Sequence, residues 1–151
     1  MMIYVDADAC PVKDEIYRVA ARHGAHVVVV SNSPLRVPDS PLVRRVLVSG
    51  AFDAADDWIA EAAGPRSVVV TGDILLADRC IKAGAKVIAP TGKAFDAAGI
   101  GAAIATRAIM ADLRSGMDGV MGGPPPFARA DRSRFLQALD GVLVALGRAG
   151  R

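Results

Sequence analysis

The chain predicts an α/β fold on a mostly parallel sheet, because short apolar runs rich in β-branched residues alternate with amphipathic helical stretches. The runs at residues 3–5, 26–30, 67–71 and 86–88 are near-continuous in valine and isoleucine, the pattern of strands covered on both faces. Their β-α-β rhythm implies parallel pairing through right-handed crossovers.

Each element has a local cause. Ile3, Tyr4 and Val5 form the first strand, and Pro11 suits a first helical position because its missing N–H would be unpaired there anyway. Val12, Ile16, Val19 and Ala20 then share one helical face, with Lys13, Glu15, Arg18 and Arg22 on the other, and Gly24 supplies the stop. Ser31 to Pro34 end the second strand. Prolines 34, 38 and 41 make residues 35–41 an extended loop, and residues 43–48 read as a further strand. A helix over 53–63 puts Ala55, Trp58, Ile59 and Ala62 on one side and Asp53, Asp56 and Asp57 on the other. Asp73 is placed to cap a helix running to Lys82, Gly84 ends it, and residues 86–88 read as the last strand. Beyond Pro90 the texture changes to Ala/Gly-rich sequence from 94 to 105, a helix to about 113 and a Gly/Pro run at 116–126 with the length of a mobile lid or a disordered crossing. Asp131 opens a terminal helix whose apolar face is Phe135, Leu136, Leu139, Val142, Leu143 and Leu146.

At 151 residues and 52% hydrophobic composition, the chain suits one domain with a real core and is short for two. We expect a core over about residues 1–90 and a helical appendage over about 91–151. The formal net charge of +2 is mild, but its distribution is not. Residues 52–80 hold six acids against two bases, whereas residues 100–151 hold seven arginines against four aspartates. An acidic centre with a basic flank suits a metal ion plus a polyanionic substrate. It equally suits a solvated helix face.

In an open parallel sheet, ligands bind beyond the carboxyl ends of the strands. Asp6 and Asp8 follow the first strand and Asp73 follows the strand ending at Thr71, so three carboxylates converge if those strands are neighbours. Asp56 and Asp57 begin a mid-chain helix, and Asp78 follows Asp73. Carboxylates gathered at one sheet edge repel each other unless a cation compensates them, which points to a divalent-metal site. Each also has a structural role open to it. Asp8 can help cap the helix near Pro11, Asp53, Asp56 and Asp57 suit the positive end of a helix, and Asp78 has Lys82 one turn on. Capping explains each separately but not their recurrence at successive strand ends.

Other signatures fail. Thr91-Gly92-Lys93 lacks the upstream glycine of a phosphate-binding loop, and Ala94 replaces its Ser/Thr. His23 and His26 have no zinc-like spacing with Cys10 or Cys80, and nucleophilic triads have no marked partners. No apolar run reaches membrane-spanning length and no secretory signal is apparent, so a soluble cytoplasmic protein with reduced thiols is expected.

Two families resemble these motifs. Val5-Asp6-Ala7-Asp8 resembles the nucleophile motif of haloacid-dehalogenase-type phosphatases, Val29-Val30-Ser31 their second motif, and Gly72-Asp73 with Asp78 their metal-binding motif. That resemblance implies phosphorylation of Asp6 with Asp8 as acid/base. It departs where it matters, since no lysine lies between Lys13 and Lys82. The chain is more similar to the YaiI/YqxD family of uncharacterised bacterial proteins, grouped with PIN-like domains. The matching stretches are Asp6-Ala7-Asp8-Ala9-Cys10-Pro11-Val12-Lys13, the start of the helix at Asp53 to Trp58, Thr71-Gly72-Asp73-Ile74-Leu75-Leu76-Ala77-Asp78, Ala89-Pro90-Thr91-Gly92-Lys93, and Gly122-Gly123-Pro124 followed by Asp131, Arg132 and Phe135.

This second resemblance implies a three-layer α/β/α PIN-like domain with a mostly parallel sheet and a helical C-terminal extension. It also implies Mg²⁺ or Mn²⁺ held by an aspartate after strand one, an acid on a central helix and aspartates after a later strand, an order that Asp6, Asp56 or Asp57, Asp73 and Asp78 follow. Asp78 lies five residues beyond Asp73, whereas the family spacing is two. The expectation is a metal-dependent ribonuclease using Asp6, Asp8, Asp57, Asp73 and Asp78, with Asp6 and Asp73 as direct ligands, Asp8, Asp57 and Asp78 completing the shell or binding through water, and Asp56 as the alternative helix ligand. Lys13, Lys93, Arg114 and Arg132 are candidate phosphate contacts. A phosphatase using Asp6, and a non-catalytic module binding nucleic acid or protein, are the alternatives.

Overall fold

A computed structural model of the chain describes residues 1–51, 53–117 and 127–149. In chain order its elements are β1 (Met2–Asp6), a 3-10 turn (Ala7–Ala9), α1 (Lys13–His23), β2 (His26–Ser31), β3 (Val43–Leu47), α2 (Ala54–Ala62), β4 (Ser67–Val70), α3 (Ile74–Lys82), β5 (Lys86–Ile88), β6 (Ala94–Phe95), α4 (Ala97–Met117) and α5 (Arg129–Ala149). The sheet runs β3-β2-β1-β4-β5-β6, with every pair parallel except β5 and β6.

Strand alternation divides the core in two, and this produces three layers. Ile3, Val5, Val27, Val29, Val68 and Val70 point to the face covered by α1 and α5. Tyr4, Val28, Val30, Val69 and Val87 point to the face covered by α2, α3 and α4. Successive strand residues enter opposite cores, so neither face can tolerate polar positions.

Three local details differ from the sequence reading. The first helix begins at Lys13, because Pro11 lies in the turn that follows the 3-10 segment. On α2, Ala62 is exposed, while Ala55, Trp58, Ala60 and Ala63 pack around buried Ile59. Residues 86–88 are not the last strand. Thr91-Gly92-Lys93 instead turns the chain back into β6, with the Ala89 N–H donating to the Lys93 carbonyl at 2.8 Å. Gly92 adopts φ +91°, and a Cβ there would stand 2.7 Å from the Arg134 carbonyl carbon, so the turn fits only by lying on the α5 backbone.

The C-terminal helix is part of the core rather than an appendage to it. Phe135, Leu139 and Leu143 are fully buried against Ile3, Val5, Ile16 and Val19. Asp131 helps start α5 by accepting the Ala128 N–H at 2.9 Å, the side-chain half of a capping box. The glycine/proline run expected to form a lid or a disordered crossing falls, from residue 118 to 126, outside the described residues. Among the described residues no helix is long and apolar enough to cross a membrane.

Because Phe135 has no exposed surface, Phe135→Ala should destabilise the fold by about 3–5 kcal/mol. Val144→Ala, at a more exposed position of the same helix, should cost no more than about 1 kcal/mol. Urea unfolding of both variants checks this, and equal losses would show that α5 is not held through that face.

Candidate active site at the carboxyl edge of the sheet

The site begins with strand order. β2 and β3 lie on one side of β1, and β4 and β5 lie on the other, so the direction of winding reverses between β1 and β4. That switch point is where an open parallel sheet leaves a crevice. Val5 pairs with Val70, which carries Asp6 and Thr71 out of the sheet side by side.

Thr71 links the two strand ends. Its buried hydroxyl donates to Asp6 Oδ2 at 2.9 Å and accepts the Asp73 N–H at 3.0 Å. Asp73 caps α3 as expected, its Oδ1 accepting from the Leu75 and Leu76 N–H groups at 2.9 and 3.4 Å. Each of these carboxylates thus commits one oxygen to the scaffold and keeps the other. Asp56 approaches from the first turn of α2, on the face shared with buried Ile59 three residues on.

The electrostatics register this convergence. Burial, above all, pushes the Asp56 carboxyl up to about 6, and the charges of Asp73, Asp6 and Asp53 add to it against the pull of Arg79. Asp6 is also raised above its ordinary value, first by burial and then by Asp8 and Asp73, while the Thr71 hydrogen bond opposes the shift. A carboxyl near 6 can both accept and donate a proton close to neutrality. Beside it lies a cleft of about 420 Å³ lined by Asp53, Asp56, Asp73, Arg79 and Arg107, with Leu75 and Leu76 as its apolar wall.

The six aspartates marked by the sequence therefore separate. Asp6, Asp56 and Asp73 are brought together. Asp8 turns toward β2, accepting the Ser31 hydroxyl at 2.8 Å and the Asn32 N–H at 3.2 Å, and it does not cap α1. Asp57 is ion-paired with Arg79 at 2.9 Å and Asp78 with Lys82 at 2.8 Å. Among the described residues no three His, Cys, Asp or Glu side chains form a group that could hold a metal ion.

The basic candidates are also distributed by the fold. The Lys13 ammonium donates to the Ala7 and Cys10 carbonyls at 3.4 and 3.0 Å, tying down the turn after β1. Arg132 donates to the Pro11 carbonyl at 2.7 Å and to Glu15 at 3.1 Å, and lies over the Phe127 ring, latching α5 to α1. Lys93 is exposed on the β5–β6 turn, and the Arg114 side chain lies outside the described residues. Sequence reasoning missed Asp53 as a cleft residue, and Arg79 and Arg107 with it. Arg107 did leave a signal: it occupies the place where the α4 stripe Ile100, Ile104 would continue at i+7.

Neither cysteine offers a nucleophile. Both are buried and unbridged, and burial raises Cys10 above its ordinary value and Cys80 to about 11, so neither is a thiolate near neutral pH.

Fold and site together define a three-layer α/β/α protein with an acidic cleft at the switch point of its sheet. The chain belongs to the YaiI/YqxD family, whose profile, described as "Uncharacterized BCR, YaiI/YqxD family", matches residues 4–145. It is 72% identical over 147 residues to a UPF0178 protein of Sphingopyxis alaskensis, covering 97% of this chain and 96% of that protein. It is 59% identical over 148 residues to one from Azorhizobium caulinodans, covering 98% and 92%, and 56% identical over 147 residues to one from Caulobacter vibrioides, covering 97% and 95%. No solved structure matches it significantly.

Two outcomes follow for the site. Thr71→Val keeps the side-chain shape but removes the hydroxyl from Asp6, and should cost about 1–3 kcal/mol in urea unfolding because a buried acceptor loses its donor. Stability should also depend on Asp56 in a defined window. Its folded-state pKa is raised, so from about pH 4 to about pH 6 the folded chain retains a proton that the unfolded chain has released. Stability from this group is therefore complete below that window and lost as pH rises through it. In EDTA, Asp56→Asn should lose less stability than the native chain between pH 4 and 7, whereas parallel curves would assign the titration elsewhere.

Proposed function

We propose that this protein is a divalent-metal-dependent phosphodiesterase acting on RNA. The observation that carries the reading is the gathering of Asp6, Asp56 and Asp73 at the β1–β4 switch point, where burial first and the neighbouring carboxylates second push the Asp56 carboxyl up to about 6. Carboxylates crowded at a partly buried strand edge, two of them with raised proton affinity, make a site that gains stability by taking up a cation.

The donor set fits Mg²⁺ or Mn²⁺ in one particular way. All-oxygen ligands suit a hard cation, and Mg²⁺ commonly keeps several waters while using one or two carboxylates. Asp6 and Asp73 are the residues that would ligate directly, through the oxygens not engaged by Thr71 and the α3 backbone. Asp56 would act through water. Such an ion supplies an activated water and neutralises charge on the leaving oxygen.

The chain's own groups do the rest. Thr71 holds Asp6 and Asp73 in a fixed relation, and the α3 N-terminus adds a positive dipole end beside them. Asp56, titrating near 6, is poised to take a proton from an attacking water at neutral pH. Asp57 positions Arg79 through their ion pair, while Asp8 fixes the loop between β1 and β2. Asp78 is held by Lys82 on α3.

Mn²⁺ titration by calorimetry is the test. The native chain should bind, Asp73→Asn should bind at least about tenfold more weakly, and Asp6→Asn should abolish Mn²⁺-dependent cleavage of single-stranded RNA. Absence of Mn²⁺ binding to the native chain, or RNA cleavage that survives Asp6→Asn, would sink the proposal. A phosphoryl group trapped on Asp6 would instead support the haloacid-dehalogenase-type reaction.

A further inference from the structure

The cleft beside the carboxylates is lined by side chains of both charges: Asp53, Asp56 and Asp73, together with Arg79 and Arg107 from two packed helices. The two arginines are not equivalent. Arg79 is already compensated by Asp57 at 2.9 Å. The Arg107 side chain makes no ion pair or hydrogen bond among the described residues.

The position of Arg107 is set by helix geometry. Ile100 and Ile104 dock α4 into the core shared with α3, and Arg107, three residues beyond Ile104, continues that same face past the edge of the core. A long charged side chain at the end of an apolar stripe lies along the packed surface and presents its head at the margin. Here the margin is the cleft. Leu75, 45% exposed, gives the same cleft an apolar shelf of the kind that a sugar or base face can cover.

We infer that Arg107 is a phosphate-contact residue of this cleft and that a single-stranded RNA backbone passes between α3 and α4, one phosphate on Arg107 with the adjoining nucleoside on Leu75. The inference rests on the phosphodiesterase reading for its ligand but not for its geometry. Arg107 is the cleft's uncommitted cation, whereas Lys13 and Arg132 spend their donors on backbone carbonyls and on Glu15. Planar guanidinium groups recognise phosphate oxygens bidentately, and Arg107 is free to do so.

The test is the salt dependence of binding of a short single-stranded RNA to the full chain, read by fluorescence anisotropy in EDTA and again with Mn²⁺. One lost phosphate contact lowers the magnitude of the slope of log K against log salt by about 0.7 for a single strand. Arg107→Gln should show that decrease, and should bind Mn²⁺ as tightly as the native chain does. Arg148→Gln removes the same charge from an exposed position on α5, across the sheet, and should leave the slope unchanged. An unchanged slope in Arg107→Gln, an equal decrease in Arg148→Gln, or no salt-dependent RNA binding by the native chain overturns the assignment. Failure of Mn²⁺ to bind the native chain would remove the metal-dependent reading alone, because the Arg107 slope in EDTA is measured without metal.

Discussion

The pairing of β1 with β4, completed by the Thr71 hydroxyl, is the constraint on which the site depends. Parallel strands in register deliver Asp6 and Thr71 at the same level, and the reversal of winding at that point keeps the next strand from covering them. A carboxylate left there would be half-desolvated and without a donor. Thr71 supplies the donor, and by accepting the Asp73 N–H it also sets where α3 begins. One buried hydroxyl therefore positions two carboxylates and a helix terminus.

The two cores then divide the remaining work. The α1–α5 side supports the loops after β1, through Lys13 on the turn carbonyls and Arg132 joining α5 to Pro11 and Glu15. Basic residues that look available in the sequence are spent there on scaffold. The α2–α3–α4 side forms the cleft itself, with Ile59 setting the rotation of Asp56, Leu76 and Cys80 seating α3, and Ile100 seating α4. Both sides are needed. Slackening either would move carboxylates whose coupling depends on separation and burial.

The cost of this arrangement is visible in Asp6 and Asp56, both of which hold protons more tightly than ordinary carboxylates. Other aspartates have structural partners: Asp8 has two donors, Asp57 has Arg79 and Asp78 has Lys82. A fold gains nothing in stability from leaving Asp56 partly desolvated among like charges, which sets it apart from the aspartates held by a donor or a cation.

The sequence by itself determined strands β1 to β5, the apolar faces of α1 and α5, the Asp73 cap and the Asp78–Lys82 pair, because each depends on residues within a few positions of one another. Family membership was also legible in motifs spread along the chain. Only the tertiary structure decided that β1 lies beside β4, that Asp56 rather than Asp57 lines the cleft, that Asp8 faces β2, and that Arg79 and Arg107 line the same cleft. The 100° between consecutive helical residues separates Asp56 from Asp57, and only packing against Ile59 says which of the two turns inward. Periodicity reports which face is apolar. It does not report what that face will meet, and the chemistry of this site lies at those meetings.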